Sequence, residues 1–488
     1  MLEKEKKSPF ETLIIAFAFI GVFFILSYNP VVPDTWWHLR SGEEMVLRRE
    51  IILTDLFSHT RAGAPWVNAF WLADIILYLI FKAGNFFALG VFLGLMGVLT
   101  FWIARKQVPI PVFLNGAFLL LAAMIAYRSW TPRPQIFSFF LLALLDLWLY
   151  QVKKEGKRDF WILLPFFALW ANLHGGYVWG ILLLIAVVVG ELFNHWFGDA
   201  TLQKEDFLEI KAIKNLALFT FFSLFAVLLN PSGAELWRLP FHTMDVSLFI
   251  QEWRSPNFHV LNTHPMLWAL FLFIFTLANN KKNLSFSDLF KVLGFAYMTF
   301  MYQRNITPFA VISYPVFARE FHFLWKGKIV PLFPRLGRRS SFNDLPVAFT
   351  GALNSILIAL VLWTAITHVY TLAQPEEIND SYPANAVKWI KEKQPEGKLF
   401  NPYNWGGYLI WNLREYPVFI DGRADLYGEE IKEQEFKIID GGDESQQLLD
   451  QWDIRLIILD PDAYLARELP RYGWKLYYED EMSLVYGR

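Results

Sequence analysis

The sequence of 488 residues contains no cysteine, and charged residues make up only 18% of it. The absence of cysteine excludes a disulfide framework, a thiolate metal site and a cysteine nucleophile. The sequence also lacks a Gly-x-x-x-x-Gly-Lys-Ser/Thr loop and a dinucleotide fingerprint, which disfavours a nucleotide-driven machine. Hydrophobic residues make up 55% of the chain, aromatic residues make up 18%, and the mean hydropathy is +0.31. This composition excludes an ordinary soluble domain and indicates a membrane protein, with no nucleic-acid partner expected.

Eleven apolar segments approach the length that crosses a bilayer, so we predict a polytopic α-helical membrane protein with about 11–13 transmembrane helices. The segments lie near residues 12–28, 84–104, 110–127, 135–150, 160–173, 175–197, 215–229, 265–279, 284–301, 305–323 and 346–372. Another apolar piece, residues 69–82, is shorter than a full span. The basic loops all fall on one side of the membrane if this piece does not cross, and the helix count changes if it does. No small-residue cleavage site follows the first segment, so we expect a retained helix rather than a signal peptide.

The formal net charge of −2 is divided unevenly along the chain. Residues 373–488 contain 13 Lys and Arg against 23 Asp and Glu, whereas residues 1–372 contain 31 against 23. Basic connections between spans are typical of cytoplasmic loops. They occur at residues 105–106, 153–158, 281–282 and 326–339. This pattern predicts a multi-pass protein of the cytoplasmic membrane, with its N-terminus in the cytoplasm and its acidic C-terminal part outside.

The hydrophobic pattern changes after residue 372, which divides the chain into two predicted domains. Residues 1–372 form the membrane domain, with long outside loops at 29–69 and 231–264. Residues 373–488 alternate short strands and helices, which predicts a small extracytoplasmic α/β domain. The predicted strands are 399–400, 418–420, 456–459 and 474–478, and the predicted helices are 384–394, 405–413, 444–452 and 462–469.

Polar and basic residues collect between the predicted spans on the side opposite the basic loops. Arginines on that side oppose the usual topological bias. A guanidinium offers forked donors that match a phosphate, so the group favours an anion site at the outer membrane boundary. The alternative is that these arginines pair with loop acids or extend to lipid headgroups. The residues are Asp34, His38, Arg40, Arg128, Arg133, Asn172, His174, Asn230, Glu252, Arg254, His259 and Arg304.

Asp34 lies just after the first predicted helix, in Pro33-Asp-Thr-Trp-Trp-His-Leu-Arg40. A carboxylate among interfacial aromatic rings is suited to act as a general base or as a metal ligand. Asp34 could also cap the helix that follows, and the two roles are compatible. His38, His59 and His174 do not have the spacing of a zinc motif, so no firm metal site is predicted.

Six short motifs, with a first helix, a large outside loop and a terminal α/β domain, resemble the GT-C superfamily of integral-membrane glycosyltransferases, in particular one bacterial branch of it. The motifs are Asp34-Thr-Trp-Trp-His-Leu-Arg-Ser-Gly42, Thr54-Asp-Leu-Phe-Ser58, Trp66-Val-Asn68, Arg133-Pro-Gln135, Asn172-Leu-His-Gly-Gly176 and Asn404-Trp-Gly-Gly-Tyr408. The resemblance implies hexosyl or pentosyl transfer from a polyprenyl-phosphate-linked donor to a lipid, glycan or protein acceptor. It places the reaction at the outer face of the cytoplasmic membrane, among membrane lipids.

The resemblance also implies roles for individual residues. Asp34 becomes the base or a metal ligand, and basic side chains stabilise the lipid phosphate as it leaves. The candidates for the phosphate site are Arg128, Arg133, His174 and Arg304. Many family members have two adjacent acids in the first loop, whereas Thr35 and Trp36 follow Asp34 here, so Glu252 is the candidate for a second carboxylate. Whether a divalent ion such as Mg²⁺ or Mn²⁺ takes part is left open.

A further cluster, Asp421-Gly-Arg423, follows a predicted strand of the C-terminal part. Ligands often bind at the carboxyl ends of strands in α/β domains, although the pattern favours a structural Asp–Arg turn. We predict further substrate contacts at His38, Arg40, Asn172, Trp405, Asp421 and Arg423.

Two other functions fit the composition. One is a non-enzymatic transporter, flippase or scaffold for lipid-linked glycans, and the other is an enzyme that joins whole glycans. Transporters often contain internal repeats and ionisable residues near the bilayer midplane. This sequence has no evident repeat and its charges lie at one face, which favours a glycosyltransferase.

Overall fold

A computed structural model describes residues 9–27, 31–198, 207–239, 251–280, 284–332 and 381–488, with residues 355, 358–360, 362–364 and 367. The N-terminal seven residues, the basic pair at 281–282 and most of the predicted span 346–372 lie outside the described residues. Parts of the basic stretch 326–339 and of the predicted loop 231–264 lie outside them as well.

The described membrane part is built from helices, most of which are apolar. They are α1 (Pro9–Ser27), α2 (Pro33–Arg48), α3 (Trp71–Arg105), α4 (Val112–Ala126), α5 (Gln135–Lys154), α6 (Leu163–Leu173), α7 (Tyr177–Phe197), α8 (Ile210–Ala226), α9 (His264–Asn279), α10 (Phe286–Met301) and α11 (Ile306–Leu324). Among the described residues, five helical segments are long and apolar enough to cross a membrane: Trp71–Arg105, Val112–Ser129, Gln135–Lys154, Tyr177–Phe197 and Leu261–Asn279. The prediction of a polytopic helical membrane protein is confirmed.

Helix α3 joins two predicted segments, residues 69–82 and 84–104. It continues through a kink at Gly84 and Asn85, whose backbone angles are not helical. At about 1.5 Å per residue, its 35 residues exceed the roughly 30 Å of a hydrocarbon core. Residues 71–82 and 84–104 therefore belong to one kinked helix that is longer than a single crossing requires.

Short connections join most of the membrane helices, so most neighbours in the chain run in opposite directions. The connections after α1, α4, α6, α8 and α10 therefore meet at one end of the bundle, which we term the site end. The connections after α3, α5, α7 and α9 meet at the other end, which we term the far end.

The C-terminal residues 381–488 form a four-stranded sheet with helices around it. The strands are β1 (Lys398–Phe400), β2 (Ile454–Leu459), β3 (Lys475–Glu479) and β4 (Leu484–Gly487), and the helices are α12 (Ala384–Lys393), α13 (Tyr403–Asn412), α14 (Ala424–Asp440), α15 (Asp443–Gln451) and α16 (Tyr464–Glu468). The sheet order is β1-β2-β4-β3, with β1 and β2 parallel and the other pairs antiparallel. The predicted α/β architecture is confirmed, although α14 and β4 were not anticipated.

The predicted strand 418–420 is not part of this sheet. Val418 instead pairs with the loop between α2 and α3, where its N–H donates to the Phe57 carbonyl and its carbonyl accepts from the His59 N–H, both at 3.0 Å. The Asn401 side chain satisfies the neighbouring backbone, accepting from the Phe419 N–H at 2.9 Å and donating to the Ile420 carbonyl at 2.8 Å. The segment therefore joins the C-terminal part to the membrane part.

Candidate active site

The site is centred on a guanidinium between two carboxylates at the site end. Asp34 lies in the first turn of α2, Arg133 lies in the turn before α5, and Glu252 lies in a short 3₁₀ turn before α9. Arg133 Nη1 is 2.8 Å from Asp34 Oδ2, and its Nη2 is 2.5 Å from Glu252 Oε1. Three chain segments separated by about a hundred residues each therefore converge on one charged group.

Arg133 is fixed from all sides. Its Nε donates to the Thr131 hydroxyl at 2.9 Å, so each nitrogen of the guanidinium has a partner. The Arg133 side chain is only 10% exposed, whereas Asp34 and Glu252 are 27% and 39% exposed. The carboxylates thus face the space in which a ligand could bind, and Arg133 holds them in place from behind.

The surroundings shift the pKa values of Asp34 and Glu252 in opposite directions. Burial raises the pKa of Asp34 above its ordinary value, even though the Arg133 charge opposes the shift. Burial also acts to raise the pKa of Glu252, but the charges of Arg133, Arg304 and Arg128 outweigh it and lower that pKa. A pair of carboxyl groups with separated pKa values is typical of sites in which one group exchanges a proton and the other stays ionised. Asp34 is the proton-exchanging member by this criterion.

Two further arginines border the pair. Arg304, in the turn before α11, lies over the Trp253 ring at 4.5 Å, and among the described residues it has no hydrogen-bond or ion-pair partner. Burial lowers the pKa of Arg304, an effect that Glu252 opposes and Arg133 reinforces. Arg128 donates to the Gln303 side chain at 2.7 Å and to the Asn262 side chain at 2.7 Å. Arg304 is therefore the cation whose charge an added anion would balance.

His174 presents a hydrogen-bond donor on the same side. Its Nδ1 accepts from the Gly176 backbone N–H at 2.9 Å and lies 2.8 Å from the Ser138 hydroxyl. Because an amide N–H can only donate, Nδ1 is the acceptor, and the neutral ring has its proton on Nε2. Burial and the charges of Arg304 and Arg133 lower the pKa of His174 well below its ordinary value. The ring is therefore a neutral N–H donor close to both arginines.

A buried pair connects α2 to α3 beneath Asp34. His38 Nδ1 lies 2.7 Å from Asp74 Oδ1, and the His38 ring lies against the Trp37 ring, tilted by 31° at a centroid distance of 3.5 Å. Trp37 in turn donates from Nε1 to Asp34 Oδ1 at 3.2 Å. Asp74, His38 and Trp37 therefore form a continuous support for the carboxylate of Asp34.

We expect His38→Leu to lower the free energy of unfolding by about 2 kcal/mol, because Asp74 would lose its partner while it remains buried. Thermal unfolding of the purified protein in detergent measures this change. His38→Asn, which keeps a donor close to the Asp74 carboxylate, is the matched control and should lose less. Equal unfolding temperatures for wild type and His38→Leu would show that the pair does not support α2.

The C-terminal part covers the first turn of α2. A Cβ atom at Gly422 would overlap Asp34 Oδ1, and a Cβ atom at Gly407 would overlap the Pro33 carbonyl. Tyr403 donates from its hydroxyl to the Gly422 carbonyl at 3.1 Å. Burial raises the pKa of Tyr403 well above its ordinary value, and Asp34 and Asp421 add to the shift. One wall of the site therefore belongs to the C-terminal part.

Solved structures with a similar fold are found despite low sequence identity. No protein-family model matches the sequence, and no curated protein matches it. The oligosaccharyltransferase of Archaeoglobus fulgidus in the apo form is 11% identical with a TM-score of 0.59, covering 99% of this chain and 74% of that one. ArnT from Cupriavidus metallidurans, bound to undecaprenyl phosphate, is 14% identical with a TM-score of 0.51, covering 99% and 98%. The chain has the GT-C fold. The resemblance inferred from the motifs is thereby confirmed at the level of the fold.

Several predicted contacts lie outside the charged centre of this GT-C fold. Arg40 forms ion pairs with Glu43 and Glu44 on its own helix, at 2.5 and 2.6 Å. Asn172 accepts from Trp71 Nε1 at 2.7 Å and donates to the Leu229 carbonyl at 2.8 Å, so it joins connections of the bundle. These side chains have structural partners.

Trp405, Asp421 and Arg423 are buried on the C-terminal side of the GT-C fold. Trp405 packs in an apolar cluster with Trp36 and Trp37. Arg423 Nη1 lies 2.7 Å from Asp55, and its Nη2 lies 2.6 Å from Asp421. All three side chains of this ionic group are inaccessible to solvent, which corresponds to the structural Asp–Arg turn that the sequence favoured.

The sequence did not single out Trp37, Asp74, Tyr403 or Gly422 as site residues. Trp37 could have been found, because it follows Asp34 by three residues and so shares its face of a helix. Asp74 also had a signal, since an ionisable residue at the start of a long apolar helix usually has a partner. Tyr403 and Gly422 had none, because their position depends on how the C-terminal part packs in the GT-C fold.

The residues around Asp34 do not fit a divalent metal ion. Among the described residues, no three His, Asp or Glu side chains are grouped so that they could hold one. The position between Asp34 and Glu252, where two carboxylates would share a cation, contains the Arg133 guanidinium. Arg133 thus supplies the positive charge that a metal would bring there.

Proposed function

We propose that this protein is a membrane glycosyltransferase that moves a sugar from a polyprenyl-phosphate-linked donor to an acceptor. The observation that carries the proposal is the convergence of Asp34, with its raised pKa, on Arg304 and the His174 Nε2–H at one end of the bundle. Such a transfer needs a base for the acceptor and stabilisation of a leaving phosphate. The two requirements correspond to two adjacent groups of side chains.

In the proposed reaction, Asp34 accepts the proton of an acceptor hydroxyl while the oxygen attacks the anomeric carbon of the sugar. The bond between that carbon and the phosphate oxygen breaks, and the lipid phosphate leaves with the electron pair. Arg304, Arg128 and the neutral His174 stabilise its negative charge. Arg133 does not need to move, because it keeps the carboxylate of Glu252 ionised and that of Asp34 oriented.

The ligands of similar structures support the donor class. The oligosaccharyltransferase AglB from Archaeoglobus fulgidus, solved with an inhibitory peptide and a dolichol-phosphate, is 12% identical to this chain with a TM-score of 0.57, covering 98% of this chain and 74% of that one. ArnT was solved with undecaprenyl phosphate. We infer a polyprenyl phosphate as the lipid carrier here, and the outer face of the cytoplasmic membrane as the place of reaction.

Release of free polyprenyl phosphate from a polyprenyl-phosphate-linked sugar, by protein reconstituted in vesicles, tests the proposal. The sugar should appear on a lipid, glycan or protein acceptor supplied at the site end. Movement of the intact donor between leaflets, without cleavage of the sugar–phosphate bond, would instead identify a flippase. Transfer of a complete oligosaccharide in one step would identify the enzyme as a glycan ligase.

Replacing Arg304 with Ala is expected to raise the KM for the lipid-linked donor about tenfold, because one charge-assisted contact with the phosphate is lost. Initial rates at varied donor concentration measure the change. Arg238→Ala is the matched control, since Arg238 is 70% exposed and pairs with Glu235 on the same end of the bundle. An unchanged donor KM would assign Arg304 to contact with lipid headgroups or Trp253 alone.

Treatment with EDTA is expected to change the transfer rate less than about twofold, because Arg133 already supplies the cation between the carboxylates. The measurement is the rate before chelation, after chelation and after Mg²⁺ or Mn²⁺ is added back. A rate that is abolished by EDTA and restored by either ion would show that Arg133 is displaced by a metal in the working enzyme.

A further inference from the structure

A cavity of about 330 Å³ lies at the far end of the bundle, between α5, α7, α10 and α11. Arg133 precedes α5 at the site end, whereas Lys153 near the end of α5 lines the cavity. At about 1.5 Å per residue, some 25 Å of helix separates the two places. The cavity is therefore distinct from the proposed transfer site.

Most charges around the cavity are paired with one another. Lys291 Nζ lies 2.9 Å from Asp146 and 3.1 Å from Asp288, and Arg319 Nη2 lies 2.9 Å from Asp288. Lys153 Nζ, which also lines the cavity, lies 2.8 Å from Glu191. These ion pairs hold the helices around the cavity together. Because the charges already balance one another, a ligand does not need to neutralise them.

Among the described residues, two buried polar atoms in the walls have no hydrogen-bond partner. Arg319 Nη1 is a donor and Gln107 Oε1 is an acceptor, and both residues line the cavity. Gln107 is only 1% exposed, and its Nε2 is already used in a 2.8 Å hydrogen bond to Asp146. Since buried polar atoms in proteins almost always have a partner, these two indicate a ligand with both an acceptor and a donor.

Apolar side chains form another part of the lining. Leu149, Leu284 and Phe323 contribute to it, and Phe323 is 45% exposed on the bundle surface. A ligand that contacts Arg319 and Gln107 can therefore continue along an apolar edge. Polar pockets with cationic side chains between transmembrane helices are typical headgroup sites.

We propose that this cavity binds the headgroup of a phospholipid from the leaflet at the far end. A phosphate oxygen accepts from Arg319 Nη1, and a headgroup hydroxyl or ammonium donates to Gln107 Oε1. An acyl chain follows the surface of Phe323. Phosphatidylglycerol and phosphatidylethanolamine meet both requirements, whereas phosphatidylcholine has no hydrogen-bond donor for Gln107.

Native mass spectrometry of the full-length protein in detergent, titrated with these three lipids of identical acyl chains, tests the proposal. We expect at least fivefold tighter binding of phosphatidylglycerol and phosphatidylethanolamine than of phosphatidylcholine. Arg319→Lys keeps a cation beside Asp288 but removes the unpaired nitrogen, and should weaken binding of the two favoured lipids at least fivefold. The control Lys211→Gln, an exposed cation at the same end, should change binding less than twofold.

Leu284→Trp provides a second variant that fills the cavity without altering a charge, so the test does not depend on how Arg319→Lys folds. It should also reduce binding at least fivefold. Equal binding of all three lipids, or an equal loss in Arg319→Lys and Lys211→Gln, would overturn the proposal. Complete competition by soluble glycerol 3-phosphate would overturn the lipid assignment and identify a free phosphate ester as the ligand. None of these outcomes depends on sugar transfer.

Discussion

Asp34→Asn is expected to lower kcat for sugar transfer by about 10³-fold, since general-base catalysis contributes roughly 10²–10⁴-fold. The amide keeps the size of the side chain and can still accept from Trp37, while Arg133 keeps its ion pair with Glu252. The fold and donor binding should therefore persist. The measurement is the single-turnover rate of polyprenyl phosphate release.

The pH dependence separates a base from a merely structural carboxylate. Because burial raises the pKa of Asp34, the wild-type rate should increase with pH through a value above that of an ordinary aspartate and then level off. The residual rate of Asp34→Asn should lack this rise. Glu252→Gln is the comparison, since the pKa of Glu252 is lowered and that group stays ionised over the same range. Retained turnover in Asp34→Asn would remove Asp34 from the role of base.

Arg423→Met is expected to lower the free energy of unfolding by about 4 kcal/mol, the largest effect on stability that we expect from a single substitution. Arg423 lies between Asp55 of the α2–α3 loop and Asp421 of the C-terminal part, and none of the three side chains is accessible. Removing the cation would leave two buried carboxylates facing each other without a counterion, at a cost of roughly 3–5 kcal/mol.

Limited proteolysis and thermal unfolding in detergent measure this effect. The matched control is Arg455→Met, because Arg455 pairs with Asp453 at the surface of the same part of the chain, where both side chains are more than half exposed. Surface pairs of that kind contribute about 0–1 kcal/mol. Equal losses in the two variants would show that the buried ionic group does not hold the parts together.

The sequence predicted the long apolar helices well, because each of them satisfies its own backbone and is apolar over a membrane-spanning length. It predicted the composition of the site less completely. Asp34, Arg133 and Glu252 were all candidates. Arg133 is 99 residues from Asp34 and 119 residues from Glu252 in the sequence, so no local pattern could show that they are in contact.

The position of Arg40 in α2 could have been predicted from the helical period. Trp37 and His38 follow Asp34 by three and four residues and share its face of α2, whereas Arg40 follows by six and points to another face. The helical period therefore separates the supporting residues from Arg40, which pairs with Glu43 and Glu44. In contrast, no period could have shown that residues 418–420 bond to the α2–α3 loop, because β-branched and aromatic residues favour a strand whichever partner supplies the hydrogen bonds.

The packing of Gly422 on Asp34 and of Val418 on the α2–α3 loop has a consequence for how the molecule can be divided. A shortened chain that ends before residue 381 would lose the surface that confines the reacting carboxylate. The water-exposed part, expressed alone, would lose backbone partners that only the membrane part supplies. Each piece depends on contacts that only the other piece supplies. Insertions, fusions and domain exchanges in this protein should therefore preserve the residues on both sides of this interface.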